Sequence, residues 1–457
     1  MLSLQESLSK LYCKLGIDSE RTKNIANHLG WTTFFKAGSI VSNFLLVPLT
    51  IDYLEQETYG IWLTLSTFIG WFSFVDIGLG HGLRNKFAEA KTAGDYKLAR
   101  AYVSCAYYTI GLVCICLVVG FYAANYYIDW TRVFNTSAGL QDQLSLMMPI
   151  IMAFFGLQLV AKLITTIYTA DQHHSIQAKV DFFTRIISLL VIFILIHTVD
   201  SSLLLFGVLF SALPVLVLII LNFVAFNATY KDYRPSFKLF RRRYLKDITG
   251  VGLNFFVIQI GVIILFSTDN FIISKLFGPE NVVPYNIAFK YFSLITMAHT
   301  ILSTPYWSSF TEAYANEDYH WIKRSVGNIQ KIWLIIPAAL VMMLILANWF
   351  YRLWVGEEVV VPFALSVSMA FYALLITFSA IYIQFMNGVG KIRLQLIITV
   401  VSMVINIPLS ILLAKTFNMG LSGVILATCF SLVLGTILWP LQYHKIINGK
   451  AKGIWGK

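Results

Sequence analysis

Residues 87–103 read FAEAKTAGDYKLARAYV, and residues 310–326 read FTEAYANEDYHWIKRSV. Aligned without a gap at an offset of about 223 positions, they share Phe, Glu-Ala, Asp-Tyr and Val at matching places. Each copy follows the second apolar run of its half of the chain and ends where a third begins. The chain therefore reads as a duplicated unit of about six membrane helices, the kind of internal repeat found in carriers.

Composition places the chain in the same class. Of its 457 residues 58% are hydrophobic and 12% charged, too few charges to cover a water-soluble surface. Apolar runs of ~20 residues, enough to cross ~30 Å of hydrocarbon, recur about twelve times. The approximate spans are 31–51, 58–79, 101–122, 144–167, 180–197 and 203–226, then 250–276, 284–305, 326–348, 362–385, 394–415 and 421–438. The expected fold is an all-α polytopic membrane protein of about twelve transmembrane helices. They form two parallel six-helix lobes related by a pseudo-two-fold along the membrane normal. Its parts are an interfacial helix at 1–30, an N-lobe at 31–226, a basic linker at 227–249, a C-lobe at 250–440 and a basic tail at 441–457.

Charge sets the expected orientation, because Lys and Arg are retained on the cytoplasmic side of short loops. About 27 basic residues fall in the termini and even-numbered loops, against about four outside (Arg132, Lys275, Arg352, Lys415). Both termini are expected in the cytoplasm. The first apolar run begins only at Trp31 and lacks a small-residue cleavage site, so a cleaved signal is not expected. The net charge of +11 follows largely from this asymmetry and points to anionic lipid as a partner, not nucleic acid. The linker carries Lys231, Arg234, Lys238, Arg241, Arg242, Arg243 and Lys246, and reads as a segment held on the inner leaflet.

Enzyme chemistry finds little room. The longest outer interruption, 126–143, is about 18 residues long and has no paired carboxylates, and no P-loop occurs. Cys13, Cys105, Cys114, Cys116 and Cys429 show no paired ligand spacing, and the adjacent His173 and His174 point apart on a helix. No metal site and no cofactor is expected.

Ionisable groups inside the spans carry the functional reading, since charge buried in lipid normally faces a cavity or a partner. Asp269 and Lys290 fall at estimated depths of ~12 Å and ~9 Å, which suits an ion pair across neighbouring helices, either structural or coupled to transport. Asp76, His81 and Arg84 stand in FVDIGLGHGLRNKFAEA. The repeat offset sets Asp76 opposite His299 and Glu89 opposite Glu312, so both halves place polar groups at the inner end, either as a gate closed by hydrogen bonds between the lobes or as solvated helix ends, the ordinary reading for Arg84 and Glu89. Lys36 and Lys162, near the ends of their spans, either snorkel to the headgroups or join Arg84, Arg185 and Lys290 in a cationic cleft. Such a cleft suits a phosphate-bearing lipid.

Several motifs resemble a known group. Tyr59-Gly60-Ile61-Trp62 with Asp76-Ile77-Gly78-Leu79-Gly80, and Thr268-Asp269-Asn270-Phe271-Ile272-Ile273 with Phe277-Gly278-Pro279 and Tyr285-Asn286-Ile287-Ala288, look like the polysaccharide flippases. These are O-antigen-type exporters of the multidrug/oligosaccharidyl-lipid/polysaccharide superfamily. The resemblance implies two lobes alternating between inward-open and outward-open states in a bacterial plasma membrane. Its cargo would be an undecaprenyl-diphosphate-linked oligosaccharide. It offers Lys36, Arg84, Lys162 and Lys290 as cavity cations and Asp76 and Asp269 as carriers of proton or sodium coupling, while His299 and Glu312 are gate candidates from the repeat offset alone. A monomer is expected, since the two internal lobes already supply the moving interface, and a polysaccharide polymerase or glycosyltransferases are candidate partners that the sequence does not itself show. A multidrug/cation antiporter is the alternative, although the first span has no Asp or Glu between Trp31 and Ile51. A lipid II flippase predicts about two more spans, and a membrane glycosyltransferase predicts a catalytic loop.

Overall fold

The computed structural model describes residues 20–72, 79–171, 173, 175–249, 267–303, 306, 310, 313–314 and 316–456, without the side chains of 20–33, 81, 85, 249, 301 and 302. Residues 1–19 of the expected interfacial helix at 1–30, Asp76, Glu312 and the side chain of His81 lie outside the described residues, while 20–30 run into the first long helix. Among the described residues regular structure is helical throughout. Nine helices there are long and apolar enough to cross a membrane.

The helices run α1 Glu20–Gly70, α2 Leu79–Thr92, α3 Tyr96–Asn125, α4 Trp130–Phe134, α5 Gln141–Ala170, α6 Ile176–Thr198, α7 Leu203–Asn227 and α8 Arg242–Thr249. They continue as α9 Asp269–Phe277, α10 Val282–Ser303, α11 Tyr319–Trp333, α12 Ile335–Val355, α13 Phe363–Val389, α14 Arg393–Ile411 and α15 Gly420–Ile447. The apolar part of α1, Phe34–Gly70, covers two spans read from the sequence. Helical geometry breaks inside it at Glu55, at φ 63° and ψ 166°. One residue off the helical region lets the chain change direction, which a run of that length needs in a bilayer of ~30 Å.

The chain divides into two compact units. One comprises Met1–Tyr53, Val75–Ile128 and Asp142–Leu253, and the other Leu54–Phe74, Asp129–Gln141 and Asn254–Lys457. The first unit's core gathers Leu83 and Phe87 of α2, Val103 and Ala106 of α3, Ile164 of α5 and Tyr230. The second gathers Phe310, Val326 of α11, Phe385 of α13 and Tyr443 of α15.

The repeat that opened the reading has a physical cause in each unit. Phe87 and Phe310 are both fully buried, as core anchors. The residues before the cap, Gly94 and Glu317, both have positive φ, 75° and 57°. That turn brings the N–H of Asp95 to Ala90 O at 3.0 Å and the N–H of Asp318 to Ala313 O at 2.8 Å. Each Asp then caps its helix, accepting from Leu98 N–H and from Trp321 N–H at 2.9 Å. The shared Phe, Ala, Asp and Val are anchor, turn acceptor, cap and buried helix face of one folded element made twice.

Candidate functional site

Within the second unit, Asp269 stands at the start of α9 and is 6% exposed. Its Oδ2 accepts a hydrogen bond from the Tyr285 hydroxyl of α10, while its Oδ1 is buried with no hydrogen-bond partner among the described residues. Asn286 Nδ2 donates to Asn270 Oδ1 at 2.8 Å, and Asn270 Nδ2 donates to Thr67 Oγ1 at 3.0 Å. Tyr372 of α13 and Cys429 of α15 lie within electrostatic range of the carboxyl group. Among the described residues this carboxyl group has one hydroxyl donor and no ion-pair partner, and an unpaired charge in such a place is expensive unless a proton or cation offsets it.

The expected Asp269–Lys290 ion pair is not what forms. Asp269 and Tyr285, and Asn270 and Asn286, pair across the α9–α10 turn, so the level partner of Asp269 is near 285. Lys290 lies over one helical turn further along, about 7 Å at 1.5 Å per residue. The depth estimate failed because it counted from apolar-run edges, whereas the register is set by the short turn Pro279–Asn281. The signal was present in the sequence: Asp269-Asn270 and Tyr285-Asn286 flank Phe277-Gly278-Pro279 almost symmetrically.

Two pieces from the first half of the sequence build this unit. Along the second part of α1, Gln56 Nε2 donates to Glu280 O at 3.1 Å and Trp71 Nε1 to Ser267 O at 2.8 Å. Between them Gly60 meets the α9–α10 turn so closely that a Cβ there would lie 1.8 Å from Pro279 O. Two motifs of the resemblance, Tyr59–Trp62 and Phe277–Pro279, thus touch, and the glycine is there for the close approach. From α4, Ser274 Oγ donates to Phe134 O at 2.7 Å, Asn135 Nδ2 to Ser274 O at 3.1 Å and Lys275 Nζ to Arg132 O at 2.5 Å.

Three of the four candidate cavity cations belong to the first unit. Lys36 of α1, Arg84 of α2 and Lys162 of α5 are exposed. Half-buried Arg185 of α6 donates to Asn43 Oδ1 of α1 at 2.8 Å, a partner that sequence reasoning missed. Lys179 lies 5.8 Å from the centre of the Phe35 ring. Glu89 is exposed and pairs with Lys86 at 2.7 Å, as a solvated helix end does. In the second unit, Lys290 is half-buried and His299 of α10 is 4% exposed, its Nε2 without a hydrogen-bond partner among the described residues.

Residues 255–412 match the MatE family. The chain is 19% identical over 422 residues to a protein named for O-antigen export in Yersinia pseudotuberculosis, covering 90% of this chain and 93% of that one. It is 21% identical over 284 residues to a protein named as an O-antigen transporter in Salmonella typhimurium, covering 61% and 63%. Among solved structures, an inward-facing multidrug resistance MATE family transporter of the MOP superfamily superposes with a TM-score of 0.70. That pair is 17% identical over 92% of this chain and 95% of that one. The chain thus carries the fold of the MATE transporters of solved structure, and its residues 255–412 carry the MatE match.

Proposed function

We propose that this protein is a flippase. It moves an undecaprenyl-diphosphate-linked oligosaccharide, an O-antigen, capsule or exopolysaccharide repeat unit, from the cytoplasmic to the outer leaflet of a bacterial plasma membrane. The observation that carries the reading is the near full-length relation to a protein named for O-antigen export. The charge distribution supports it: the first unit presents Lys36, Lys162 and Arg185 on membrane helices, groups suited to a diphosphate. Among the described residues of the second unit Asp269 is a buried carboxyl group, suited to exchanging a proton or sodium ion. Alternating access between two states is the transport cycle proposed, with both termini cytoplasmic and a monomer as the working unit. A polysaccharide polymerase or glycosyltransferases are the proposed partners, and no catalytic residue is assigned.

A multidrug/cation antiporter is the second reading, favoured by the likeness to MATE transporters of solved structure. It requires an acidic cavity, and the first span has no Asp or Glu between Trp31 and Ile51. The test is polysaccharide display in a host deleted for its own flippase and supplied with matched sugar genes. Restored surface polymer supports the flippase. Intact folded protein with no polymer, but with drug extrusion down a cation gradient, would establish the antiporter.

A further inference from the structure

Residues 231–249 join the two halves of the sequence, and in the structure they are fixed along the first turns of α3. Arg100 Nε donates to Arg234 O at 2.8 Å, the N–H of Ser236 to Ser104 Oγ at 3.0 Å, and the N–H of Arg241 to Cys105 Sγ at 3.4 Å. Tyr233 packs on Phe87 with ring centres 5.0 Å apart, and α8 closes on α2, where a Cβ at Gly82 would lie 2.0 Å from Ile248 O. The segment is a built surface rather than a loose tether.

That surface leaves two aromatic rings uncovered. Phe237 is 73% exposed and Phe240 36%. Their rings are parallel within 7°, with centres 6.3 Å apart, and Tyr108 of α3 meets Phe237 edge-on at 5.3 Å. Tyr108 lies one turn beyond Ser104, inside the apolar run of α3, so the rings stand where that helix passes from its polar end into hydrocarbon. Around them Lys238, Arg241, Arg242 and Arg243 are exposed, with Asp232 and Asp247 as the exposed acids of the stretch. Arg234 is committed internally, donating to Phe226 O and Asn227 Oδ1. Exposed aromatic side chains flanked by cations are the composition of an interfacial anchor, with phosphate oxygens as the electrostatic complement.

We propose that residues 237–243 form a docking site for anionic phospholipid headgroups. Phe237 and Phe240 insert at the acyl boundary, and Lys238, Arg241, Arg242 and Arg243 take the phosphates. The site is independent of which cargo the protein moves. Because the backbone beneath is bonded to α3, the cations are pre-positioned, so lipid selection follows from place as well as from net charge.

The test places the photoreactive residue benzoylphenylalanine at position 237 of the full-length protein, in vesicles of phosphatidylcholine with a minor fraction of phosphatidylglycerol. Irradiation is expected to yield lipid adducts enriched in phosphatidylglycerol by about fivefold over the vesicle composition. In the Arg241→Gln/Arg242→Gln/Arg243→Gln variant the enrichment is expected to fall to the bulk ratio at unchanged total lipid adduct. Adducts on the protein's own peptides in place of lipid would overturn the proposal, as would no enrichment in the parent chain or the same enrichment in the variant.

Discussion

Replacing Asp269 by Asn keeps the side-chain volume and leaves an oxygen for Tyr285, while removing the exchangeable charge. The expected result is normal membrane abundance with surface polymer lost or made insensitive to collapse of the ion gradient, read by polymer staining with and without an uncoupler. Tyr285→Phe instead strips Oδ2 of its donor beside an Oδ1 that already lacks one. Leaving a buried acceptor unpaired should lower unfolding stability by about 1–3 kcal/mol, measurable as a shift of the thermal midpoint in detergent. Asp269 was legible in the sequence because an acid in an apolar run stands out. Tyr285 was legible only through the near-symmetry of Asp269-Asn270 and Tyr285-Asn286 about Phe277-Gly278-Pro279, because a tyrosine in such a run has many uses and the turn register decides which carboxyl group it faces.

Short helices and turns carry their own tests. Asp95→Ala and Asp318→Ala each remove a helix cap and should each cost about 1 kcal/mol. The two caps share no hydrogen-bond partner, so the losses should add in the double variant, as thermal unfolding would check. Gly60→Ala asks a methyl group to occupy the place of Pro279 O and should lower both thermal stability and transport at equal expression. At α4, the Thr131 hydroxyl and the N–H of Arg132 hold the Asp129 carboxyl group below its ordinary range. A lowered value means the cap stabilises α4 above the unfolded value and fails as pH falls through the folded one. Hydrogen-exchange protection of 130–136, corrected for the intrinsic pH effect, should decline below that point in the parent chain and stay flat in Asp129→Asn.

For the molecule as a whole, neutralising Lys36, Lys162 and Lys290 together should abolish polymer export while leaving insertion and abundance unchanged. Retained export at full abundance would remove them from the proposed path of the cargo. The class of fold could be read without coordinates, because a bilayer allows few solutions: apolar runs of spanning length must be helices, and a repeated Phe, Glu-Ala, Asp-Tyr and Val betrays a duplicated element. The Phe, Ala, Asp and Val among those letters have local roles, as anchor, turn acceptor, cap and buried face, so the repeat is visible locally. Tertiary structure decided what depends on register between distant segments. It gave Asp269 a tyrosine in place of Lys290, gave Arg185 its partner Asn43, and drew 54–74 and 129–141 into the unit built mainly from the second half of the chain. Those outcomes rest on a three-residue turn, one glycine's missing side chain and a few hydrogen bonds between helices, none of which leaves a periodic mark in the sequence.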